Sequence, residues 1–280
     1  MISITHRVIY DVSKGFKIPS MPETLIKVQD ICNDKNGNIT DLSALIASDI
    51  GLSSSILKTI NSPIYGMNRT ISDISQAVML MGMDSASTLI SGILIKQSFK
   101  GDSAINFERL WDNASLVAQT MVFIGQNIND KIPPENLYTA GLFHDCGIAA
   151  MSMRYTSTYL DTLLLANEDY SKNQVEHEDR IHGTNHAIMG YFIASGWKLP
   201  RDICVVILNH HEQDFLDINK HHNENLMYAT LKVADNMLSN IKRGQNINGW
   251  NEIRDKCFDQ LGIHEDQYHD LGECLEGLLE

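Results

Sequence analysis

The chain has 280 residues, of which 43% are hydrophobic and 20% charged, and these values are typical of a globular protein and not of a disordered one. The formal net charge of −13 argues against sequence-independent binding of nucleic acid, because such binding needs clustered Lys and Arg. We therefore expect no nucleic acid among the partners.

The cysteines and the N-terminal sequence indicate the compartment. The five cysteines are scattered and include no Cys-x-x-Cys pair, a pattern that suits a reducing compartment without a disulfide framework or a cysteine zinc site. The sequence MISITHRVIYDVSKGF contains no continuous apolar run of the kind found in signal peptides. The longest uncharged apolar stretch, around residues 88–95, is too short to span a bilayer. These features predict a cytoplasmic protein without membrane contact.

Apolar residues recur at helical spacing from the first predicted element onward. The first predicted helix begins at Pro22, a residue favoured in a first helical turn. The signals that follow are a cap at Thr40, a start at Ser53, a stop at residues 61–63, a start at Ser72, a stop at Gly82 and a cap at Asp84. Short helices joined by Asn, Ser, Gly and Pro turns, with almost no strand alternation, predict an all-α fold.

A polar segment at residues 96–103 is the best internal boundary. We expect three parts, which are residues 1–104, 105–240 and 241–280. The second part begins with a long amphipathic helix from about Leu110 to Ile128. Residues 167–183 and 212–225 are polar and are predicted to be loops or frayed helix. The acidic tail carries four leucines at the spacing of one more amphipathic helix: Leu271, Leu275, Leu278 and Leu279.

The segment LFHDCG places His144 and Asp145 inside an otherwise apolar run. Burying an imidazole and a carboxylate is unfavourable unless each finds a partner. The partner could be the other residue of the pair, a backbone group or a metal ion.

The other histidines divide by their neighbours. Seven have polar surroundings and are predicted to lie at the surface: His6, His177, His182, His221, His222, His264 and His269. Three have apolar neighbours, namely His186, His210 and His211, and Asp235 interrupts an apolar helical pattern. Gly190 follows His186 by one helical turn, where a missing side chain would let a ligand or another helix approach.

Together with His144 and Asp145, these residues supply four imidazoles and two carboxylates. Neutral imidazole and carboxylate suit zinc, iron, manganese or nickel, and a carboxylate can bridge two ions. The residues therefore predict a site for one or two divalent transition-metal ions. A buried polar network that fastens the helices would produce the same pattern without any metal, and this alternative stays open.

These motifs, in this order, resemble the HDOD family, the HD-related output domains of bacterial signalling, over about 220 residues. The N-terminal half carries PSMPETLIKVQDI, LIASDIGLSSSILKTINSPIYG and ISDISQAVMLMGMDSASTLI. The second half carries LWDNASLVAQTM, AGLFHDCGIAAM, GTNHAIMGYFIASGWKLPRDICVVILNHHE and LMYATLKVADNM. One departure is Ile50, at a position where such proteins usually have proline.

The resemblance extends to the HD-domain phosphohydrolases, whose histidines and aspartates bind metal. It implies that the ligand positions are those of His144, Asp145, His186, His210, His211 and Asp235. Asn113 stands where the enzymes have their first histidine ligand, and Ile148 stands where HD-GYP phosphodiesterases have a lysine. An Asn carbonyl is a weaker ligand than imidazole, and Ile offers no charge to a phosphoryl group.

The resemblance implies N-terminal helices packed on a degenerate HD-like bundle. It also implies a non-catalytic output module of signal transduction that binds a partner protein or a small ligand, with a partner surface around residues 52–66. The alternative is a metal-dependent phosphohydrolase that acts on nucleotides or cyclic dinucleotides.

Overall fold

The computed structural model of the chain describes residue 16 and residues 19–63, 69–169 and 172–279. Within these ranges there are sixteen helices and no strand, so the predicted all-α fold is confirmed. The predictions made for His6 and for residues 64–66 lie outside the described residues. The helices are α1 (Glu23–Asn33), α2 (Ile39–Ala47), α3 (Ile50–Ile60), α4 (Ile74–Met81), α5 (Met83–Ser98), α6 (Phe107–Asn127), α7 (Pro134–Phe143), α8 (Cys146–Arg154), α9 (Tyr159–Glu168), α10 (Gln174–His182), α11 (His186–Gly196), α12 (Arg201–Asn209), α13 (Phe215–Ile218), α14 (His222–Arg243), α15 (Trp250–Leu261) and α16 (Glu265–Leu279).

The N-terminal helices begin at other caps than the sequence predicted. The side chains of Asn38, Asp49 and Asp73 accept the backbone N–H bonds that begin α2, α3 and α4. The predictions of Thr40, Ser53 and Ser72 as starting residues were therefore wrong, because these other side chains meet the first free N–H groups. Asp84 was also wrong, since α5 begins after Gly82 without a side-chain cap and Asp84 lies in its first turn. The predicted stops at residues 61–63 and at Gly82 are confirmed, and Gly82 has a φ of 83°.

Two polar stretches are more helical than predicted. Residues 174–182 form α10, which begins with a capping box between Asn173 and Glu176 and ends at Gly183 with φ 73°. Residues 215–218 form the short α13, and α14 already begins at His222. The long helix predicted from Leu110 is confirmed as α6, and the amphipathic tail is confirmed as α16.

The helices share one hydrophobic core that continues from α1 to α16. Helix α7 lies at its centre and contacts α5, α6 and α12, while α8 packs on α11 and α14 packs on α6, α12 and α15. Two hydrogen bonds fasten the N-terminal part to the end of α11. Gln29 Nε2 donates to the Trp197 carbonyl at 2.8 Å, and Trp197 Nε1 donates to the Pro19 carbonyl at 3.0 Å. The N-terminal helices are thus packed against the HD-like bundle.

Among the described residues, no single helix has both the length and the apolar composition of a membrane span. Helices α4 and α5 reach those values only when joined, and they bend by 114° at Gly82.

Candidate metal centre

The junction between α7 and α8 presents the His144–Asp145 pair. His144 closes α7, and its Nδ1 lies 2.6 Å from the Gly141 carbonyl, to which it can only donate. His144 Nε2 lies 3.1 Å from Asp145 Oδ2. The His144 side chain is 6% exposed, whereas that of Asp145 is 31% exposed. The two residues therefore pair with each other, and Oδ1 of Asp145 faces other groups.

Close contact between α8 and α11 brings Asp145 to His186. Gly147 has no side chain, and a Cβ built there would lie 1.9 Å from the His186 carbonyl oxygen and 2.7 Å from Gly190 N. At Gly190 a Cβ would meet Ile207 of α12 at 2.9 Å. Of the two roles predicted for Gly190, the structure shows the approach of a second helix. These glycines allow three helices to meet at the site.

Three imidazole nitrogens and one carboxylate converge there. His186 Nε2 lies 3.3 Å from His210 Nε2 and 3.0 Å from His211 Nε2. Asp145 Oδ1 lies 3.4 Å from His186 Nε2 and 3.5 Å from His210 Nε2. The potential ligand atoms of the four residues lie within 4.8 Å of one another. We call these residues, Asp145, His186, His210 and His211, the metal group. Imidazole and carboxylate donors at this spacing can hold one transition-metal ion.

The outer nitrogens of two of the histidines are held by acceptors. Glu178 Oε2 accepts from His186 Nδ1 and from the His186 backbone N–H, each at 2.7 Å. The Ile207 carbonyl accepts from His210 Nδ1 at 2.7 Å. With Nδ1 protonated, the Nε2 lone pairs point at one another, an arrangement that a cation between them stabilises.

Charge and burial set the ionisation of the site. Burial would raise the pKa of Asp145, but the neighbouring His144 holds that pKa well below its usual value. Burial would lower the pKa of His144, but the Asp145 carboxylate outweighs it and raises the pKa to about 9. Burial lowers the pKa of His210 to about 4 and that of His211 well below its usual value. His210 and His211 are therefore neutral near pH 7, which is the form that binds metal.

Three residues of the predicted ligand set lie outside the metal group. His144 Nε2 pairs with Asp145 Oδ2, and Asp235 on α14 interacts electrostatically with His144. Asn113 is exposed on α6, where its Oδ1 accepts a hydrogen bond from Lys242 Nζ at 3.0 Å. Ile148, at the position of the HD-GYP lysine, is 7% exposed and belongs to the hydrophobic core.

The sequence missed one important residue, Glu178, and misplaced one histidine. Glu178 is fully buried on α10, and its Oε1 accepts from Tyr159 Oη at 2.7 Å while its Oε2 holds His186. His177, predicted to lie at the surface, is also fully buried, because α10 is an ordered helix packed on α9 and α11. The signal that could have found both was the Asn173–Glu176 capping box, which marks a helix start inside this polar stretch. His221, His222, His264 and His269 are exposed as predicted, and His182 is half-buried.

A polar cleft of about 440 Å³ opens beside His211. Three of its residues carry carboxylates and one carries an amine, so the cleft has an acidic balance. The residues that line it are Lys172, Asn173, Glu176, His211, Glu212, Gln213, Asp214 and Asn248.

Comparison with known proteins gives the same picture of the fold. The HDOD domain model matches residues 18–213. An uncharacterised protein of Treponema pallidum is 26% identical over 200 residues, which are 69% of this chain and 37% of that relative. The chain thus spans little more than a third of that relative's length.

Solved structures of similar fold cover nearly the whole chain. An HDOD protein of unknown function from Geobacter sulfurreducens has a TM-score of 0.64 at 22% identity, with 96% of each chain covered. A candidate metal-dependent phosphohydrolase from Shewanella amazonensis has a TM-score of 0.67 at 15% identity, with 98% of this chain and 99% of that chain covered. A candidate signal transduction protein from Marinobacter aquaeolei has a TM-score of 0.67 at 16% identity, with 99% of this chain and 61% of that chain covered.

Proposed function

The chain belongs to the HDOD family, and from that membership we propose that it is a non-catalytic output module of signal transduction. In this proposal the module relays a signal by binding a partner protein or a small ligand, and its metal group holds one ion for structure and not for turnover. The name of the Marinobacter aquaeolei protein, a candidate for signal transduction, agrees with such a role.

The observation that carries the proposal is the difference between the two sides of Asp145. On the Oδ1 side, three imidazoles complete a donor set for one ion. On the Oδ2 side, His144 is already paired with the carboxylate. Asn113, where the resemblance implies a further ligand position, is turned toward Lys242. Two ions about 3.5–4 Å apart are the usual means of activating water and stabilising charge in phosphodiester cleavage. The proposed single ion lacks that second partner.

The residues that would hold the ion are Asp145, His186, His210 and His211, a set that suits iron, manganese, nickel or zinc. When bound, such an ion can act as a Lewis acid toward water or an oxygen ligand. The chain's own contribution is orientation: Glu178 fixes the His186 ring, and the Ile207 carbonyl fixes the His210 ring. Because its ligands come from the junctions around α8, α11 and α12, the ion would cross-link these helices.

The surroundings of the site also disfavour an anionic substrate. The cleft beside His211 carries Glu176, Glu212 and Asp214 against one lysine, and such a balance repels phosphate groups. Ile148 adds only apolar contact where a cation would stabilise the transferring phosphoryl group. A phosphodiester would therefore approach this site against its charge.

One observation favours the alternative, a metal-dependent phosphohydrolase. Lys232 on α14 is 8% exposed and interacts electrostatically with Asp145 and Asp235. A buried ammonium group at this place could replace part of the charge lost at Ile148. The solved structure of a candidate metal-dependent phosphohydrolase shares the fold and gives this alternative its chemistry.

The experiment combines elemental analysis with a turnover assay. Protein purified without a chelator or a nickel column is expected to carry close to one transition-metal ion per chain. With manganese, iron, nickel or magnesium it is expected to show no turnover of cyclic dinucleotides, nucleotides or a generic phosphodiester. Turnover near ~1 per second, abolished by Asp145→Ala, would establish the hydrolase instead. Protein that carries no metal and binds none would support the buried polar network.

A double variant sharpens the assay. If Asn113→His combined with Ile148→Lys gains activity that the natural chain lacks, the catalytic loss lies at those two positions. Activity in the natural chain that Lys232→Met removes would assign the missing cation to Lys232.

A further inference from the structure

A second cavity, which no residue of the metal group lines, lies along α12. Its volume is about 500 Å³. Its walls come from α11, α12, α13 and the start of α14. The lining residues are Tyr191, Ser195, Leu199, Arg201, Cys204, Val205, Leu208, Asn209, Phe215, Asn219 and Glu224. Cavities of about 300–1,000 Å³ are the usual size for small-molecule sites.

Most of the wall is apolar and well ordered by packing. Phe215 is 1% exposed and stacks on Tyr228 with ring centroids 4.7 Å apart. Leu199 and Leu208 are also buried, and Tyr191 adds a second aromatic ring. The Cys204 thiol donates to the Leu199 carbonyl, and burial raises its pKa to about 11, so it is an uncharged wall group.

One ion pair, between Arg201 and a buried glutamate, lines this cavity. Glu224 is fully buried, and its Oε1 accepts from Nη1 of Arg201, whose side chain is 65% exposed. Its Oε2 has no hydrogen-bond partner among the residues that the structure describes. Arg201 thus meets solvent at the outside while one carboxylate oxygen stays unmatched inside. An unmatched buried carboxylate oxygen is costly, and an N–H donor would remove that cost.

Asn209 provides a second unmatched acceptor on the same wall. It is 3% exposed, and its Nδ2 donates to the Val205 carbonyl at 2.8 Å. Its Oδ1 has no partner within the described ranges. Two residues that line one cavity therefore each leave an acceptor unpaired, and no side chain that the structure describes donates to either oxygen. The ligand chemistry that fits is a donor of N–H bonds.

We propose that this cavity binds a small organic cation, an amine or amidine on an apolar ring, through Glu224 and Asn209. The cationic head would donate to Glu224 Oε2 and Asn209 Oδ1, and the ring would pack between Tyr191, Leu208 and Phe215. The net charge of −13 favours the approach of a cation. This inference rests on the proposed function in one respect, because it names the chemistry of the small ligand, and it requires no metal ion.

Isothermal titration calorimetry of the full chain with three probes of nearly equal shape tests the proposal. The probes are benzamidine, benzamide and benzoate, which present a cation, a neutral amide and an anion on the same ring. Benzamidine is expected to bind with a Kd of about 1 mM or tighter, benzamide more weakly, and benzoate not at all up to about 10 mM. Equal binding of the three probes, or no binding of benzamidine, overturns the proposal.

Variants assign the binding to this cavity. Glu224→Gln keeps the shape of the side chain and is expected to weaken benzamidine at least about tenfold, the cost of one charge-assisted hydrogen bond. Glu252→Gln, at an exposed position of α15, is the matched control and is expected to change nothing. Ser195→Trp, at the exposed rim, is expected to block entry and serves if Glu224→Gln fails to fold.

Unchanged benzamidine binding in folded Glu224→Gln or in Ser195→Trp would place the probe elsewhere and refute the assignment. Metal content and phosphodiester turnover are measured on the same preparations. Turnover would refute the non-catalytic function whatever benzamidine does, and absent benzamidine binding without turnover would refute only this cavity.

Discussion

The two oxygens of Asp145 face two different environments. Oδ1 faces His186, His210 and His211, and the rings of His186 and His210 are fixed from outside by Glu178 and by the Ile207 carbonyl. Oδ2 faces the protonated His144, whose other ring nitrogen, Nδ1, donates to the Gly141 carbonyl. A metal site depends on the groups that orient its ligands as much as on the ligands themselves. The Oδ1 side has both, whereas Oδ2 is paired with a protonated imidazole, which cannot bind metal.

The change with the largest expected effect removes the residue common to both sides. Asp145→Ala takes away the only carboxylate of the metal group and leaves three imidazoles without a counter-charge. We expect the bound metal to fall from close to one ion per chain to nearly none, measured by elemental analysis. Asp161→Ala, an exposed aspartate on α9, is the matched control. Unchanged stoichiometry in Asp145→Ala would exclude these residues as the ligands.

The next largest effect is expected at the contact between α8 and α11. Gly147→Ala would set a Cβ 1.9 Å from the His186 carbonyl oxygen and 2.7 Å from Gly190 N. Both are backbone atoms, which cannot rotate away as a side chain could. Such overpacking is expected to lower the free energy of unfolding by about 3 kcal/mol and to weaken metal binding. Gly196→Ala, on α11 with nothing within 4 Å of its Cβ, is expected to change stability by less than about 1 kcal/mol. Equal stability of the two variants in denaturant titrations would contradict the close contact.

In metal-free protein, the two sides of Asp145 predict opposite pH dependences. The pKa of His144 is raised to about 9 in the folded state, against about 6.5 in the unfolded chain. Protonated His144 therefore stabilises the fold fully below pH 6.5, and this stabilisation is lost as the pH rises through 9. The lowered pKa of His210, about 4, gives stability that is lost as the pH falls from 6.5 toward 4. Unfolding in the presence of a chelator should therefore show a maximum near pH 6.5.

Each of these shifts is worth at most about 3–4 kcal/mol, at about 1.4 kcal/mol per pKa unit. His144→Gln is expected to reduce the decline on the alkaline side, to which the raised pKa of His186 also contributes, while His269→Gln, at an exposed position, keeps the whole decline. A stability curve that rises from pH 6.5 to 9 would contradict the protonated pair.

A smaller effect is expected from the residue that orients His186. Glu178→Gln keeps the size of the side chain but removes the negative charge that faces His186 Nδ1. Loss of such an orienting partner is expected to weaken metal binding about 10- to 100-fold without removing a ligand, as measured by competition with a metal chelator. Glu176→Gln, two residues away on α10, is the matched control, because Gln still serves in the capping box. Equal affinity of the two variants would make Glu178 only a packing residue.

Local patterns and the resemblance predicted the all-α fold and each of the four residues of the metal group. They predicted less well where the deciding group is distant in sequence. Glu178 was missed because its segment is polar, and only its contact with Tyr159 and His186 shows why a buried carboxylate is tolerated there. The helix starts were misplaced because Asn, Asp, Ser and Thr are all good caps, and the choice among neighbours depends on which side chain meets the free N–H groups. Propensity alone does not decide this.

The smallest effect is expected at Asn113, and it tests whether this residue is a metal ligand. The resemblance implied a degenerate ligand position there, but the side chain is exposed and its Oδ1 accepts a hydrogen bond from Lys242, which is 129 residues away in the sequence. No sequence pattern could have indicated that partner.

If Asn113 holds no ion, Asn113→Ala removes one exposed hydrogen bond, and such a loss is worth less than about 0.5 kcal/mol at a surface position. We expect unchanged metal stoichiometry and unchanged stability, measured by elemental analysis and denaturant titration. Lys242→Ala should behave in the same way, since it breaks the same contact from the other end. If Asn113→Ala instead lowers the metal content while Lys242→Ala does not, Asn113 is a ligand, and the chain holds an ion outside the metal group.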